Sequence, residues 1–571
     1  VVVNAFNIFK DQTEAIGSKI NFSKGKTEVL LGRYENLEEL QNSIASYVAT
    51  GIPLENIKIH PSNDVANEPI TYGYLHLGVP RGSEEYVRAA YEAQLDKTEI
   101  ATRKINDLNN AQDQWVILNW VTKHKFTYLL RHLSPFFTFN RLERIDHILR
   151  SSFCNIGSQQ IDDLAWNQAQ LPIGLGGFGL GNIRDTAVAA FVANAYETRM
   201  AVIDKVPTAL NHLSLLGDGE VAPFGAGADG DTSDQFMEPI WDLRDEINAA
   251  SAKEDIVATV EAEKIINEAR QEKKPYQIQK FFSHFLINDQ FRSVRKTFKD
   301  TKTNPDNARL LSCLGDTSGA WLNCIPKDKH SMMKNEEFRF AWALRLGLEI
   351  LNGSSYCTLC KKHIDKKGIH SFSCPRQRQA LTEKHDSLVK EIAILAYLGG
   401  IKAKDHHLNL FTQLDPNNML RPDLLLPFLA ENGLNLLLDF VLTDPRNFTN
   451  CVKAAHYIAW AMLERARFKK NKYQLLCHQA GYKFLPFSCE IFGSMTEDSL
   501  DLIRLLVRKA ADRSHIPYSI LLPYWIKRIS MNIQKGNASF FMKSTVRMTG
   551  SDSLHDASVS MSTHHIRIAA E

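Results

Sequence analysis

The sequence predicts a mixed α/β protein of several domains, and three observations carry that reading. Short apolar strands alternate with helix-period segments near both ends of the chain, while residues 84–196 read as nearly all helical. The 571 residues suffice for three or four domains of ordinary size. Residues 217–235 hold five glycines and five acidic side chains with no basic one, the composition of a flexible linker.

The elements follow in order. Val3, Phe6, Phe9 and Ile16 have helical spacing, and Gly17 ends that helix. Residues 20–22 and 28–31 read as strands around Lys24 and Lys26. A helix over 37–48 and strands over 57–60 and 74–77 complete an α/β segment, residues 1–83. Residues 84–216 form a helical region interrupted at Pro135 and at 172–181. After the linker, residues 236–350 are again helical, and Asn335 looks like an N-cap. A cysteine-rich segment occupies 351–375. Residues 376–530 alternate: helix 376–398, strands 424–429 and 434–442, helix 452–469, strand 483–491, helix 500–512. Residues 531–571 are Ser/Met/His-rich and read as a weakly structured tail.

Composition narrows the function classes. Hydrophobic residues are 44% and charged residues 23%, which excludes a disordered chain. A net charge of +2 excludes a simple polycation, but the charge is uneven. Residues 451–571 carry 17 basic against 9 acidic side chains, so this C-terminal segment could sit on a polyanion. No apolar run reaches membrane-span length and no signal-peptide pattern is visible, so no membrane partner is expected. Nine cysteines, sparse and odd in number, argue for a reducing intracellular compartment, nuclear or cytoplasmic.

Two constellations could carry chemistry. The first is Cys357-x2-Cys360-x9-His370-x3-Cys374. A close Cys pair and a His/Cys pair after a polar loop supply the four borderline ligands that structural Zn²⁺ takes, and Gly368 lets the loop turn. His363 is a competing ligand too near Cys360 to complete the set. The alternative is unpaired structural thiols. The second is Arg421-Pro422-Asp423, followed by Asp439 closing the run Leu436-Leu437-Leu438. Two carboxylates at the ends of adjacent strands can share Mg²⁺, which keeps waters and activates them toward a phosphodiester. A capping or salt-bridged Asp is the alternative for Asp439. Lys469 and Lys472, beside Arg467 and Lys470, could offset transition-state charge or simply end a basic helix. Glu391 and Glu490 are candidates for a third carboxylate.

Three features point elsewhere. Gly174-x-Gly176-x-x-Gly179 matches a dinucleotide fingerprint but has helical pattern on both sides, so it reads as a turn. Asp162-Asp163 lies in a helical stretch, and the basic stretch 294–304 reads as a solvated helix face.

Assembled in order, these motifs resemble the C-terminal part of a non-LTR retrotransposon polyprotein with a restriction-like endonuclease. Residues 17–31 look like the segment following the catalytic Tyr-x-Asp-Asp hairpin of reverse transcriptases, which would put Lys26 near a nucleotide site. Residues 74–82 resemble the primer-grip strand, making 1–83 a palm remnant; 84–216, with Leu171-Pro172 and Gly176–Leu180, is similar to the thumb. Cys357 to Cys374 resembles the zinc knuckle, and Lys384-His385-Asp386 a variant of the family's Arg-His-Asn element. Asp423 and Asp439 resemble the Mg²⁺ pair, with Lys469 and Lys472 as the basic pair before a Tyr. The resemblance implies DNA target and element RNA as partners, with Lys26, Lys384, His385, Arg467 and Lys470 touching nucleic acid. It implies DNA nicking by a cation-activated water, giving a 3′-hydroxyl that primes reverse transcription.

The pattern also departs from the family. No Tyr-x-Asp-Asp occurs, so this chain alone is not expected to polymerise DNA. Val441 stands two after Asp439, where restriction-type nucleases usually place Lys, which makes Lys469 and Lys472 necessary. A degenerate or repurposed nucleic-acid-binding protein is the alternative. A helical scaffold with a structural zinc site is a third reading, and it predicts no basic groove beside Asp439.

Overall fold

The computed structural model describes residues 7, 10–12, 14–15, 29–31, 37–59, 73–133, 135–191, 193–194, 276–315, 317–351, 355–405, 410–411, 420–430 and 433–549. Lys26, the linker 217–235, the helices expected over 239–275 and the tail beyond 549 lie outside the described residues. The protein is mixed helix and sheet, and the chain divides into two compact units, Val1–Thr98 and Glu99–Glu571.

In the first unit, β1 (Val29–Leu31) pairs in parallel with β2 (Ile57–Ile59), as the intervening helix α1 (Leu37–Ala49) requires of a crossover. An antiparallel hairpin follows, β3 (Gly73–His76) and β4 (Val79–Gly82). Its two turn residues, Leu77 and Gly78, both have positive φ, which matches the right-handed twist of the strands. The long helix α2 (Glu84–Arg103) begins with two acids where the helix dipole favours them.

The second unit begins with α3 (Ala111–Ile117), capped by Asn110, whose side chain accepts from the Gln112 and Asp113 amides. Helix α4 (Leu142–Gly157) and α5 (Asp163–Gln170) surround an aromatic core of Trp115, Phe153, Phe178 and Trp342. Asp162 caps α5 and Asp163 pairs with Arg150 at 2.7 Å, so the two acids shape a helix start. Residues 171–181 are indeed a glycine-rich turn. A Cβ on Gly177 would stand 2.0 Å from the Leu171 carbonyl, so that position admits only glycine. The buried Arg345 guanidinium holds this turn, donating to the carbonyls of Ile173 (2.8 Å), Gly177 (3.1 Å) and Ser318 (3.2 Å). Helix α6 (Tyr276–Thr301) carries the basic stretch, burying Val294 and Phe298 and exposing Lys296 and Lys299. Helix α7 (Asn335–Leu346) is capped at Lys334, not Asn335. The Asn335 side chain instead accepts from the Ala111 amide at 2.8 Å and joins two helix starts.

The C-terminal half is built on a four-stranded sheet of order β10-β9-β8-β7. Helix α8 (Arg378–Leu398) leads into β7 (Lys404–Asp405), β8 (Leu424–Leu426) and β9 (Asn435–Thr443), all antiparallel neighbours. Helix α9 (Trp460–Gln479) crosses over to β10 (Tyr482–Glu490), which is parallel to β9. Pro486 sits on β10, an edge strand, where a missing N–H costs little. Strand alternation sorts the side chains. Leu436, Leu438 and Phe440 face α8 and α10 (Glu497–Ser514); Leu425 and Leu437 face Tyr473 and Cys477 of α9.

The tail expectation is corrected for residues 531–549. They continue α11 (Tyr518–Thr549), a 32-residue helix. Trp525, Ile529 and Ile533 join the sheet core, while Phe541 packs in a tilted arrangement on Phe340 of α7, ring centres 4.8 Å apart. Its polar residues are internal too: Gln534 and Asn537 both donate to the Ile491 carbonyl. A helix buried on several sides by partly polar packing shows no clean amphipathic period, which is why the sequence pattern looked weak.

Candidate metal centre and carboxylate site

The Cys/His segment folds as a small knuckle. Strands β5 (Ser355–Tyr356) and β6 (His363–Ile364) pair as a hairpin, and Lys361 takes positive φ to close the turn carrying Cys357 and Cys360. The one-turn helix Ile369–Ser373 presents His370, its amides held by the Asp365 carboxylate at 3.0 and 2.7 Å. The Cys357–Cys374 and Cys360–Cys374 sulfurs are 3.9 and 3.8 Å apart, and Cys360 Sγ is 3.3 Å from His370 Nε2. A tetrahedron with Zn–S bonds of about 2.3 Å has S···S edges of about 3.8 Å. The four ligand atoms therefore fit a metal ion such as zinc. Among the described residues they are the one group of three or more such ligands gathered this closely. His363 is not part of it; its ring packs edge-on to Tyr356. A Cβ on Gly368 would lie 2.5 Å from the Phe541 ring, so the knuckle seats directly on α11.

The two aspartates meet across the β8–β9 ladder. Leu424 pairs with Leu438, and one residue further that register sets Asp423 opposite Asp439. The Asp423 amide donates to the Leu438 carbonyl at 2.9 Å, and the Phe440 amide donates to Asp423 Oδ2 at 2.6 Å. Asp439 shares strand parity with Leu437 and so faces α9. There Met462, Ala466, Tyr473 and Cys477 form the buried stripe. Lys469 lies in that stripe, and its ammonium forms an ion pair with Asp439 Oδ2. From α8, His385 Nε2 stands 3.1 Å from Asp423 Oδ2 and Nδ1 3.1 Å from Asp386.

The electrostatics are those of a crowded acidic pair. Burial, then repulsion by Asp423, raises the Asp439 carboxyl above its ordinary range, while Lys469 and Tyr473 pull it back. Burial and the nearby Asp439 push the Tyr473 phenol upward, so it stays a donor. Burial disfavours the His385 imidazolium, but hydrogen bonds and attraction from Asp423 and Asp386 outweigh that and lift it to about 9. At neutral pH both ring nitrogens therefore carry protons and donate.

The remaining sequence candidates disperse. Lys472 is exposed, its ammonium 5.1 Å from the Tyr473 ring centre. Arg467 pairs with Glu464 and Lys470 with Asp498, both at the surface. Lys384 is a correction: it is only 7% exposed and packed over Phe372 and Phe540, so it does not stand on an open surface along which a nucleic-acid strand could run. Glu391 and Glu490 are corrections too. Glu391 pairs with Arg528 at 2.7 Å, and Glu490 accepts from Ser312, Ser494 and the Met462 amide. Neither joins the aspartates. Sequence reading missed Tyr473 and the inward role of His385. Tyr473 was findable, four residues after Lys469 on one helical stripe. Nothing local marked His385 as the partner of a carboxylate 38 positions away.

No family model matches this chain, and no curated protein matches its sequence. Among the described residues, no helix is long and apolar enough to cross a membrane.

Proposed function

We propose that the chain is a fragment of a non-LTR retrotransposon reverse transcriptase polyprotein that lacks the polymerase catalytic hairpin. In this reading it carries a Mg²⁺-dependent DNA-nicking endonuclease and a zinc knuckle, and acts on a DNA target with element RNA. The observation that carries the reading is Asp439, buried mid-strand in β9, faced by Asp423 across the ladder and by Lys469 from the crossover helix.

The donor set suits a hard cation. Mg²⁺ binds through one or two carboxylates and keeps its waters, so the absence of Glu391 and Glu490 from the site is no obstacle. Asp423 and Asp439 would hold it, and it would supply Lewis-acid polarisation of a phosphate oxygen. The protein's own groups do the rest. His385, doubly protonated, fixes the Asp423 carboxylate with one N–H while Asp386 holds the other. Lys469 supplies, from α9, the ammonium that Val441 cannot, and it places positive charge where a phosphorane gathers negative charge. The test is supercoiled-plasmid nicking by the full chain with Mg²⁺, beside Asp439→Asn. Nicking lost in the variant supports the reading; no nicking by folded, zinc-loaded protein sinks it.

A second reading, a non-catalytic nucleic-acid binder, draws on one observation. Lys469 and His385 already engage both carboxylates, a self-neutralised state that needs no cation. Mg²⁺-independent DNA binding that weakens steeply with salt would favour it.

A further inference from the structure

A polar cavity of about 390 Å³ lies between α7, α8 and α11 and shares no lining residue with the Asp423–Asp439 site. Lys384 forms part of its wall. Among the described residues its ammonium makes no hydrogen bond or ion pair; it packs over the rings of Phe372 and Phe540, at 5.0 and 5.5 Å, and the nearby Asp444 carboxylate is already held by Arg446. A desolvated cation–π contact is worth about 2 kcal/mol, against several for removing an ammonium from water. Burial accordingly lowers this lysine to about 8, which still leaves it charged at neutral pH.

Lys535, Ser387 and Ser539 bring further donors to the lining. Lys535 gives two N–H bonds to the Lys329 and Met332 carbonyls, at 2.8 and 2.9 Å, and has no carboxylate partner. Ser387 accepts from Asn532 at 2.8 Å, which leaves its own hydroxyl proton to give. The Ser539 hydroxyl, also in the lining, engages no described group. The three lining carboxylates are taken: Glu391 by Arg528, Glu383 by Lys543, and Glu337 by the Lys334 amide at 2.9 Å. Four cationic side chains, Lys329, Lys384, Arg528 and Lys535, thus face three carboxylates around this cavity, and the Ser387 and Ser539 hydroxyls add donors.

We propose that this cavity binds a tetrahedral oxyanion, a phosphate group, with Lys384 as its counter-charge and Lys535, Ser387 and Ser539 as donors. The group comes from free phosphate or from a phosphomonoester chain end. A phosphate offers several acceptor oxygens at once, which matches the number of donors left open.

Calorimetry of the full chain with inorganic phosphate, against chloride at matched ionic strength, tests this. The expected result is saturable binding, weakened at least about tenfold by Lys384→Met and by Lys535→Met. Asp439→Asn should bind as the parent does, which separates this site from the carboxylate pair. Should Lys384→Met misfold, Ser539→Ala and Lys535→Met carry the test, with circular dichroism as the control for fold. Absence of saturable binding at millimolar phosphate overturns the proposal, as does binding indifferent to all three substitutions. A parallel arm compares 5′-phosphorylated and 5′-hydroxyl oligonucleotides. A Lys384-dependent preference for the phosphorylated strand assigns the site to a chain end; saturable phosphate binding without that preference assigns it to the free anion.

Discussion

His385 Nε2 stands 3.1 Å from Asp423 Oδ2, joining a helix to the entry of a strand. The pair has a measurable pH signature. The His385 pKa is about 9 in the folded protein and about 6.5 in an unfolded chain. A raised pKa means that its stabilisation is complete below about pH 6.5 and is lost as pH climbs through 9. Lys384, lowered to about 8, works oppositely at alkaline pH, so the parent curve alone is ambiguous. The informative quantity is the Tm difference between parent and His385→Gln. It should be largest near pH 6 and shrink toward pH 9.5; a flat difference would remove the ion pair from consideration.

Lys469 and Asp439 should behave as a coupled pair. Lys469→Met leaves a buried carboxylate beside Asp423 and should cost about 3 kcal/mol in urea unfolding, the low end because the lysine is partly wet. Asp439→Asn in the same chain should recover part of that loss. Additive single effects would show that the two side chains do not interact.

Chelation should destabilise far more than the knuckle's size suggests. Gly368 abuts Phe541, so loosening the knuckle disturbs α11 and the helices packed on it. A metal at a thousand times its Kd contributes about 4 kcal/mol. EDTA should therefore lower Tm for the whole second unit, with Zn²⁺ but not Mg²⁺ restoring it. Cys374→Ser should be insensitive to both.

Arg345→Met should be among the most damaging changes in the helical half. It removes the donor from the carbonyls of Ile173, Gly177 and Ser318 and leaves them buried. A loss of about 4 kcal/mol is expected by urea titration. Lys at 345 should not rescue it, because a point ammonium cannot reach three divergent oxygens.

The legible parts of the sequence were those with local grammar. The Cys/His spacing marked a set of possible metal ligands because a tetrahedron constrains it, and the Leu436-Leu437-Leu438-Asp439 run marked a strand, though Asp439 sits in its middle and not at its end. The pairing of Asp423 with Asp439 followed once two strands were assigned. What escaped depended on packing at long range. Lys384 looks like a surface basic residue, yet Phe540 of α11, far downstream in the chain, covers it. Residues 531–549 looked unpatterned because their polar groups bond to carbonyls such as that of Ile491 rather than to water.

The placement of α11 has a consequence for how the molecule is made. A nascent chain that has emerged through Ser514 holds every strand of the sheet and every ligand of the knuckle. It still lacks the helix that supplies Trp525, Ile529 and Ile533 to one core and Phe541 to the other. Until that helix is synthesised, the sheet and the knuckle present apolar ground to chaperones. Consolidation must then wait for Tyr518–Thr549. A boundary cut at residue 530 would sever this keystone mid-length, so the sheet region is separable on paper but not in solution.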